Sequence, residues 1–535
     1  MNKEHNSKFQ ERVNSNQQNL ATKLRKEFDF IVCGSGTSGS VVAGRLAANP
    51  SVHVLVLEAG GSDESDLVMD PNQWPMNLFT NRDWGFVAEP NPNLNGRAIP
   101  YSMGKVLGGG SSINVSTWSR GHRGDWEFCA RETGDEAWGY DAVLKLYREK
   151  IEAWSGTPDP LHRGTDGRVH VQPVTDLLPF HTAVLEASES VGLPRFPNAN
   201  GQMMEESAGS AFVDETVSEG QRKSIYRSYL YPLMDQPNLT VLSGALATKV
   251  LFEGKKAVGL EFLYKDQRLQ VRAAREVIVS AGAIQTPKLL MQSGIGDPEE
   301  LRQFGIPVVQ ALRGVGRNLH DHISFEALWE VASDPPAPIP RGKTAAFWKT
   351  DSTLDSPNIY AYSRRGAWVS PENVKRFGEP PKDVWSMVVG MRPASRGSVR
   401  LTGADSSDPV KVDAAYLESP EDLKSLVEGL KTVRAIGNAP ALAAFRGQES
   451  VPGSLNGSDI EGFFRNGLNT FWHQSCTAKM GRDEMSVVDG KLKVYGVDGL
   501  RVADSSVLPR VTSGNTMAPC VVIGERAAML LGAEE

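Results

Sequence analysis

The chain has 535 residues, of which 40% are hydrophobic and 23% are charged, and its formal net charge at pH 7 is −7. A chain of this length predicts roughly two to four domains, and its proportions of apolar and charged residues are those of an ordinary soluble globular protein. The negative charge argues against nucleic acid, or an anionic membrane surface, as a partner.

The sequence shows no targeting or redox signal. No uninterrupted apolar run approaches the roughly 18 residues of a transmembrane helix, and residues 1–26 are polar, without the apolar core of a signal peptide. The four cysteines have no CxxC or framework spacing, which is typical of a reducing compartment. We therefore expect a cytoplasmic protein with a flexible tail over residues 1–26 and no integral membrane segment.

The segment from residue 28 to residue 60 contains the clearest pattern in the chain. An apolar run at residues 30–33 predicts a buried strand, and Gly34-x-Gly36-x-x-Gly39 predicts a tight turn into a helix. Gly34 permits the turn, Gly36 lets a pyrophosphate approach the backbone, and Gly39 lets the helix lie close to the sheet. The phosphates would then lie on the free N–H groups at the positive end of this helix.

A carboxylate follows the next predicted strand. Residues 52–57 form an apolar run that ends at Glu58, 19 residues after Gly39, where an acidic side chain can accept hydrogen bonds from ribose hydroxyls. A carboxylate at this position argues against NADP, because it would repel the 2′-phosphate. The motif indicates an adenine dinucleotide but leaves NAD and FAD both open, since their sites share this turn.

The middle of the chain changes from irregular and helical patterns to strands. Residues 61–100 form a long irregular stretch, typical of a functional cover, and a glycine-rich run follows at residues 104–121. Helical spacing occurs over residues 126–154 and 181–191, on either side of a short predicted strand at residues 169–174. Further strands are predicted at residues 240–242, 247–252, 257–264, 268–273 and 276–282.

The last part of the chain returns to apolar strands. Residues 283–310 predict two helices around a turn, and residues 316–481 alternate strands and helices with many polar loops. A strand at residues 500–504 then runs into a loop and a C-terminal helix. Both this strand and the one at residues 276–282 have the composition of central members of the first sheet, which predicts an interleaved architecture.

Two glycine-containing segments resemble family signatures. Residues 104–114 (GKVLGGGSSIN) and 282–296 (GAIQTPKLLMQSGIG) resemble the two signatures of the glucose–methanol–choline (GMC) flavin oxidoreductases. The chain also resembles later motifs of that family, in the same order, at residues 472–473, 477–481 and 514–516. The resemblance spans about residues 28–531 and favours the branch of bacterial choline and sorbose dehydrogenases and of aryl- and furfuryl-alcohol oxidases.

The resemblance implies an α/β fold in which a Rossmann-like FAD-binding domain is interleaved with a substrate domain built on an antiparallel sheet. We assign residues 27–170, 223–315 and 484–535 to the FAD-binding domain. Residues 171–222 and 316–483 are assigned to the substrate-binding domain. Each domain would thus be assembled from segments that the other domain separates.

The resemblance also implies that FAD is the cofactor. Family members with a covalently bound flavin carry the linking histidine at the position of Ile113, whose aliphatic side chain cannot form that bond, so we expect noncovalent FAD. Asn114 is implied to lie near the reactive edge of the flavin. The residues expected to contact FAD are Gly34, Gly36, Thr37, Ser38, Gly39, Glu58, Ala59, Gly104, Val106, Gly109, Gly110, Ser111, Asn114, Val115, Val250, Ala281, Asp504, Asn515, Thr516 and Met517.

His473 and Asn515 are the catalytic residues that the resemblance implies. His473 would accept the alcohol proton as a hydride leaves the same carbon for flavin N5, and an unperturbed imidazole pKa near neutral pH suits that role. Asn515, a residue type that also caps helices, would hold the substrate oxygen. The implied reaction converts a primary or secondary alcohol to an aldehyde or ketone, with oxygen or another acceptor taking the electrons.

Two further patterns have competing interpretations. The sequence His-Asp-His at residues 320–322 has the HxH spacing of a metal site. It lacks a third ligand cluster and resembles a structural turn of the family, so we expect no metal. Trp385, Phe471 and Trp472 could line an aromatic substrate pocket, although such side chains more often form core.

Two alternative functions remain open from the sequence. The same scaffold supports hydroxynitrile lyases, which bind flavin without a net redox reaction, and anaerobic bleaching of the flavin by alcohols would separate the two. A flavin-binding module without turnover is the other alternative, and the presence of both His473 and Asn515 argues against it. Selectivity among alcohols would depend on the loops at residues 61–100 and 325–380.

Overall fold

The computed structural model describes residues 3–332, 342–455 and 457–533 of the chain. Two large sheets, each of seven strands, organise these residues. The first sheet has parallel strands at its centre, whereas the second is antiparallel. The α/β class predicted from the sequence is therefore confirmed.

The first sheet contains the strand–turn–helix unit predicted near the N-terminus. In spatial order its strands are Leu239–Ser243, Val54–Glu58, Glu27–Cys33, Gln267–Val279, Lys256–Tyr264 and Ala245–Glu253, with Leu500–Val502 paired to Gln267–Val279. Ile31, Val56 and Ile278 on its central strands have no exposed surface, because helices and loops cover both faces of a parallel sheet. The late strand at residue 500 joins this sheet, as the interleaved pattern predicted.

Close backbone contacts explain the glycines of the first turn. Gly34 has a φ of +101°, and a Cβ at this position would lie 2.2 Å from the carbonyl oxygen of Ser280. A Cβ on Gly39 would lie 1.9 Å from the carbonyl oxygen of Gly34. Only glycine permits these approaches, which bring the helix Thr37–Ala47 down onto the ends of the strands.

The second sheet lies above the same strand ends. In spatial order its strands are Arg446–Val451, Ile323–Val331, Val384–Met391, Ile359–Arg365, Thr344–Trp348 and Ala208–Phe212, with Asn469–Thr470 paired to Ile323–Val331. Helix Pro420–Gly437 packs against the strands Ile323–Val331 and Val384–Met391. The short strand Asn469–Thr470 leads directly into the segment that carries His473.

The α-helices of six residues or more are distributed around both sheets. They are Lys3–Thr22, Thr37–Ala47, Arg123–Thr133, Tyr140–Leu146, Pro179–Ser190, Gly282–Gln292, Pro298–Gln303, Pro371–Phe377, Pro420–Gly437, Ser458–Gly467 and Met517–Leu530. The last of these packs against Thr37–Ala47, where a Cβ on Gly524 would lie 2.6 Å from Val41 Cβ. None of the helices in the described ranges is long and apolar enough to cross a membrane.

Smaller sheets complete the fold, and one of them bears on the predicted domain division. A mixed sheet joins Thr117–Trp118, Asp214–Glu215, Val169–Pro173 and Glu152–Trp154. The boundary proposed between residues 170 and 171 therefore falls inside a strand. A three-stranded sheet contains Arg317–Leu319, Gly397–Leu401 and Val410–Asp413. Two-stranded pairs are Phe86–Val87 with Pro100–Tyr101, Val217–Ser218 with Gln221–Arg222, and Ile295–Gly296 with Gln310–Ala311.

The N-terminal segment differs from the flexible tail expected over residues 1–26. Residues Lys3–Thr22 form a helix that lies along the strand Leu239–Ser243. The side-chain amide of Gln17 donates to the carbonyl of Leu239 at 2.9 Å, and its oxygen accepts the Val241 N–H at 2.8 Å. Val13 is 3% exposed. A polar segment can be ordered here because its amide side chains form hydrogen bonds with the free backbone groups of an edge strand.

Two other predicted elements have different bounds. The helical spacing over residues 126–154 resolves into the helices Arg123–Thr133 and Tyr140–Leu146, a π-helical turn and the strand Glu152–Trp154. Gly134, with a φ of +66°, ends the first helix in the left-handed conformation. Conversely, the two strands predicted between residues 268 and 282 are one continuous strand, Gln267–Val279.

Candidate active site

A deep cavity, here called the dinucleotide cavity, lies at the carboxyl ends of the parallel strands of the first sheet. Cys33, Glu58 and Ser280, which end or follow three of those strands, all line it. Crevices at this edge are the usual ligand sites of open α/β sheets. The strand order therefore places the site where the sequence motif predicted it.

The glycine-rich turn gives this cavity a bare backbone wall. A Cβ on Gly36 or on Gly110 would meet no atom within 4 Å, and both residues line the cavity. The helix Thr37–Ala47 begins at Gly36 without a side-chain cap. Its first N–H groups and its dipole are available to an anion, so this wall fits a dinucleotide pyrophosphate.

Glu58 is buried on the opposite side of the turn. Its Oε2 accepts the Ser35 N–H at 2.9 Å and the Ser35 hydroxyl at 2.7 Å, and its Oε1 accepts the Gly60 N–H at 2.8 Å. Burial raises the pKa of Glu58, while these hydrogen bonds oppose that shift. The carboxylate is thereby fixed in orientation, and it lines the cavity.

Asp504 is a second carboxylate on the cavity wall. Its Oδ2 accepts the Gly282 N–H at 2.9 Å and the Thr286 hydroxyl at 2.6 Å, and its Oδ1 accepts the Ser506 N–H at 2.8 Å. These bonds connect the late strand to the start of the helix Gly282–Gln292. The late strand and the segment 282–296, which resembles a family signature, therefore meet at this one side chain.

Most residues predicted to contact the cofactor line this cavity. They are Gly34, Gly36, Thr37, Ser38, Glu58, Ala59, Gly104, Gly109, Gly110, Ser111, Asn114, Val115, Ala281, Asp504, Asn515, Thr516 and Met517. Gly39 is not among the lining residues, because it packs the helix against Gly34. Val106 is fully buried and bridges to Gly61.

Val250 is also not among the residues that line this cavity. It is 1% exposed, and its N–H donates to the Ser293 hydroxyl at 2.8 Å. The cavity meets the same strand three to five residues earlier, at residues 245–247. An apolar strand pattern gives no indication of where along its length a ligand makes contact.

His473 and Asn515 lie together at the far end of the cavity. Tyr362 donates its hydroxyl to Asn515 Oδ1 at 2.6 Å, so the amide nitrogen of Asn515 faces the imidazole. That nitrogen lies 3.2 Å from His473 Nε2. Since an amide nitrogen can only donate, Nε2 of His473 must be the unprotonated nitrogen.

His322 holds the other side of the His473 ring. The two Nδ1 atoms lie 2.9 Å apart, and the Tyr360 hydroxyl lies 3.1 Å from His473 Nδ1. With Nε2 unprotonated, a neutral His473 carries its proton on Nδ1, which has both His322 and the Tyr360 hydroxyl within hydrogen-bonding distance. Residues 320–322 were predicted to form a structural turn, and the contact of His322 with His473 was not foreseen. No local pattern indicates that His322 faces a residue 151 positions later.

Asp321 fixes the backbone that carries the imidazole. Its Oδ1 accepts the His473 N–H at 2.8 Å, and its Oδ2 accepts the Tyr416 hydroxyl at 2.6 Å and the Thr470 hydroxyl at 2.5 Å. Burial raises the pKa of Asp321 to about 6, against the lowering effect of these bonds. Burial also lowers the pKa of His473 to about 3, so the imidazole is neutral near pH 7.

Asp125 holds the segment that carries Asn515. Its Oδ2 accepts the Ser513 N–H at 2.7 Å, and its Oδ1 accepts from Arg392 at 2.8 Å and from the Ser356 hydroxyl at 2.7 Å. Burial favours a higher pKa, but Arg392 and Arg510 lower the pKa of this carboxyl overall. One buried charge therefore connects the helix Arg123–Thr133, the second sheet and the loop that carries Ser513.

Arg222 is a buried cation under the loop at residues 110–116, and no sequence pattern singled it out. It is 1% exposed, and its guanidinium donates to Asn114 Oδ1 at 2.7 Å, to the Ser116 hydroxyl at 2.9 Å and to the Val68 carbonyl at 2.9 Å. The amide oxygen of Asn114 therefore faces Arg222. Its amide nitrogen is left to face Met517 Sδ, at 3.1 Å.

A second cavity, here called the aromatic cavity, adjoins the first. The lining residues that the two share are Trp74, Val115, Thr117, Phe471, Trp472 and Asn515. Trp385, the third candidate for an aromatic pocket, is instead core, because it stacks on Trp329 with ring centroids 4.6 Å apart. Within the described ranges, no group of three or more side chains could hold a metal ion.

Comparison with known families identifies the architecture around these cavities. A family model described as GMC oxidoreductase matches residues 28–324, and a second model of the same description matches residues 393–524. The chain belongs to the GMC oxidoreductase family. Members of this family use FAD, and this GMC oxidoreductase is accordingly an FAD-dependent enzyme.

Curated relatives and solved structures agree with this family. The chain is 34% identical to an alcohol dehydrogenase [acceptor] of Pseudomonas putida, over 94% of this chain and 95% of that protein. It is 36% identical to an oxygen-dependent choline dehydrogenase of Burkholderia thailandensis, over 94% and 93% of the two chains. The crystal structure of pyridoxine 4-oxidase from Mesorbium loti is similar, with a TM-score of 0.88, 28% identity and coverage of 95% and 100%.

Replacing Glu58 by Ala should weaken FAD binding by this GMC oxidoreductase. The change removes a fixed carboxylate from the cavity wall, and a hydrogen bond to a charged group contributes roughly 1.5–3 kcal/mol, or about a 10- to 100-fold change in affinity. Titration of the apoprotein with FAD, followed by flavin fluorescence, measures the dissociation constant. Glu253→Ala, on an exposed side chain, is the matched control, and equal FAD affinity in both variants would refute the role of Glu58.

Proposed function

We propose that the protein oxidises a primary or secondary alcohol to an aldehyde or ketone, with His473 as the base and Asn515 as the group that holds the substrate oxygen. The observation that carries the proposal is the pairing of His473 Nε2 with the Asn515 amide, 3.2 Å apart, at the end of the dinucleotide cavity. Asn515 also lines the aromatic cavity. A substrate there can reach both side chains.

FAD is the proposed cofactor, bound without a covalent link. Gly36 and the start of the helix Thr37–Ala47 would hold its pyrophosphate, and Glu58 its ribose. FAD, when bound, would supply the acceptor for the hydride, and oxygen or another acceptor would then take up the two electrons. Ile113 lines the cavity with an aliphatic side chain, which supports noncovalent binding.

Acid precipitation should release the flavin from the purified holoenzyme. Because Ile113 offers no nucleophilic atom, nothing at that position would retain the cofactor once the fold is lost. Absorbance of the supernatant and of the washed pellet at the flavin band measures the two fractions. Yellow colour that stays in the washed pellet would show a covalent link and overturn this part of the proposal.

The hydrogen bonds around His473 suit proton removal. Nε2 faces the Asn515 amide and is the unprotonated nitrogen, while Nδ1 faces His322 and the Tyr360 hydroxyl. An alcohol whose oxygen replaces Nε2 as the partner of the Asn515 amide can give its hydroxyl proton to Nε2. The Asn515 amide then donates to the oxygen as negative charge develops there.

Asp321 contacts the backbone N–H of His473, and we propose that its ionised carboxylate favours the positive charge that forms on the imidazole. Attraction between buried charges is screened less than in water. The neutral resting imidazole corrects the sequence-based expectation of a pKa near neutrality, since burial has shifted it to about 3. Burial instead raises the pKa of Asp321 to about 6.

Other observations support the remaining parts of the proposal. The relatives named above are dehydrogenases and an oxidase, and none of these is a lyase. All four cysteines are buried free thiols, which supports the cytoplasmic location that the sequence analysis expected. The named relatives therefore support alcohol oxidation over the lyase alternative.

His473→Ala should lower the rate of anaerobic flavin reduction by an alcohol about 10²–10⁴-fold, because a positioned base contributes that much. Asn515→Ala should cost less, since its amide stabilises the oxygen but does not take the proton. Stopped-flow absorbance with equal FAD content measures both rates. His170→Ala, a histidine on the strand Val169–Pro173 outside both cavities, is the control, and a near-parental rate in His473→Ala would refute the mechanism.

The rate of flavin reduction should fall as the pH drops through about 6. Below its pKa of about 6, Asp321 is protonated and can no longer stabilise the imidazolium, whereas His473 itself stays neutral down to about pH 3. In Asp321→Asn the rate should be lower at pH 8 and flat between pH 5 and pH 8. An unchanged inflection in that variant would assign the ionisation to another group.

A further inference from the structure

The aromatic cavity is large compared with the space that a small alcohol needs. Its volume is about 400 Å³, and it extends from Asn515 and Trp472 to Trp368 and Glu372 at its outer end. Trp368 is 45% exposed, so this end reaches the surface. The body of a substrate whose hydroxyl lies at Asn515 would occupy this space.

The charges on the wall of the aromatic cavity are paired with one another. Among the described residues that line it, the acidic side chains are Glu326 and Glu372 and the basic ones are Arg97 and Arg364. Arg364 donates to Glu326 Oε1 at 2.6 Å, and the Trp368 N–H lies 3.2 Å from Glu326 Oε2. Arg97 lies 3.4 Å from Glu372. Both carboxylates therefore have a cationic partner.

The aromatic rings of this cavity also contact one another. Trp368 stacks on Trp472 with ring centroids 5.6 Å apart, and Trp74 meets Trp472 edge to face at 5.8 Å. Attraction of a cation to an aromatic ring needs an open ring face. The ring faces of Trp472 are thus partly covered by neighbouring rings, whereas the combined apolar surface remains available to a flat or branched hydrocarbon.

We infer that the substrate is a neutral alcohol with a bulky apolar or aromatic body, and not a quaternary-ammonium alcohol such as choline. This inference rests on the proposed function, because it places the hydroxyl at His473 and Asn515. A cation that leaves water for this cavity finds no unpaired carboxylate on its described wall, and burying an unpaired charge is costly. An apolar body of the same shape carries no such cost.

Matched pairs of alcohols test the inference on the intact holoenzyme. Choline and its uncharged carbon analogue 3,3-dimethylbutan-1-ol form one pair, and 4-(trimethylammonio)benzyl alcohol and 4-tert-butylbenzyl alcohol form a larger pair. The kcat/KM for flavin reduction should be at least about tenfold higher for the neutral member of each pair. A higher kcat/KM for the charged member of either pair would overturn the inference.

Two variants show whether the Arg364–Glu326 ion pair sets this preference. Arg364→Met leaves the Glu326 carboxylate without its partner, and at pH 8 the ratio of neutral to charged kcat/KM should fall about tenfold. Glu326→Gln removes the negative charge and keeps Arg364, so that ratio should stay or rise. The same ratio in both variants would overturn the role of this ion pair, and the parental comparison stands even where a variant fails to fold.

The outcomes separate this inference from the proposed function. Methanol, ethanol and 1-propanol are included as alcohols without a bulky body. Reduction of the flavin by these alcohols, but by neither bulky neutral alcohol, would overturn the inference and leave the proposed function standing. A flavin that no alcohol reduces would overturn the proposed function itself.

Discussion

The placement of His473 beside Asn515 depends on one buried carboxylate, Asp125, which connects three parts of the chain. It accepts hydrogen bonds from Arg392 at the end of a second-sheet strand and from the Ser513 N–H, two residues before Asn515. His473 comes from a segment that pairs with the second sheet, whereas Asn515 precedes a helix that packs on the first sheet. Without a fixed relation between the two sheets, the 3.2 Å distance between these side chains could not be maintained.

The two cavities divide the chemistry between them. Backbone N–H groups and fixed carboxylates line the dinucleotide cavity, and they suit one cofactor in one orientation. The aromatic cavity instead combines tryptophan rings with ion pairs formed between its own lining residues. The first arrangement explains how members of one family can share a redox step. The second shows how a substrate preference can be set by side chains on the loops and strands around the cavity mouth, without any change at His473.

Local patterns predicted much of this structure, and contacts distant in sequence account for what they missed. Gly34 and Gly39 could be interpreted because each glycine meets a nearby backbone atom, and His473 and Asn515 could be located through motif resemblance. His322 and Arg222 were missed because their partners lie more than 100 positions away. The helix Lys3–Thr22 was missed because the strand on which it packs, Leu239–Ser243, lies more than 200 residues later in the sequence.

The packing of the helix Met517–Leu530 on the helix Thr37–Ala47 has a consequence for biosynthesis. Gly524 meets Val41 almost without space between them, so the first nucleotide-binding helix acquires its full packing only after nearly the whole chain has left the ribosome. Until then the apolar face of the early helix must remain exposed or be shielded by other factors. The wall of the dinucleotide cavity is therefore complete only when the last helix is in place, since Met517 and Cys520 form part of it.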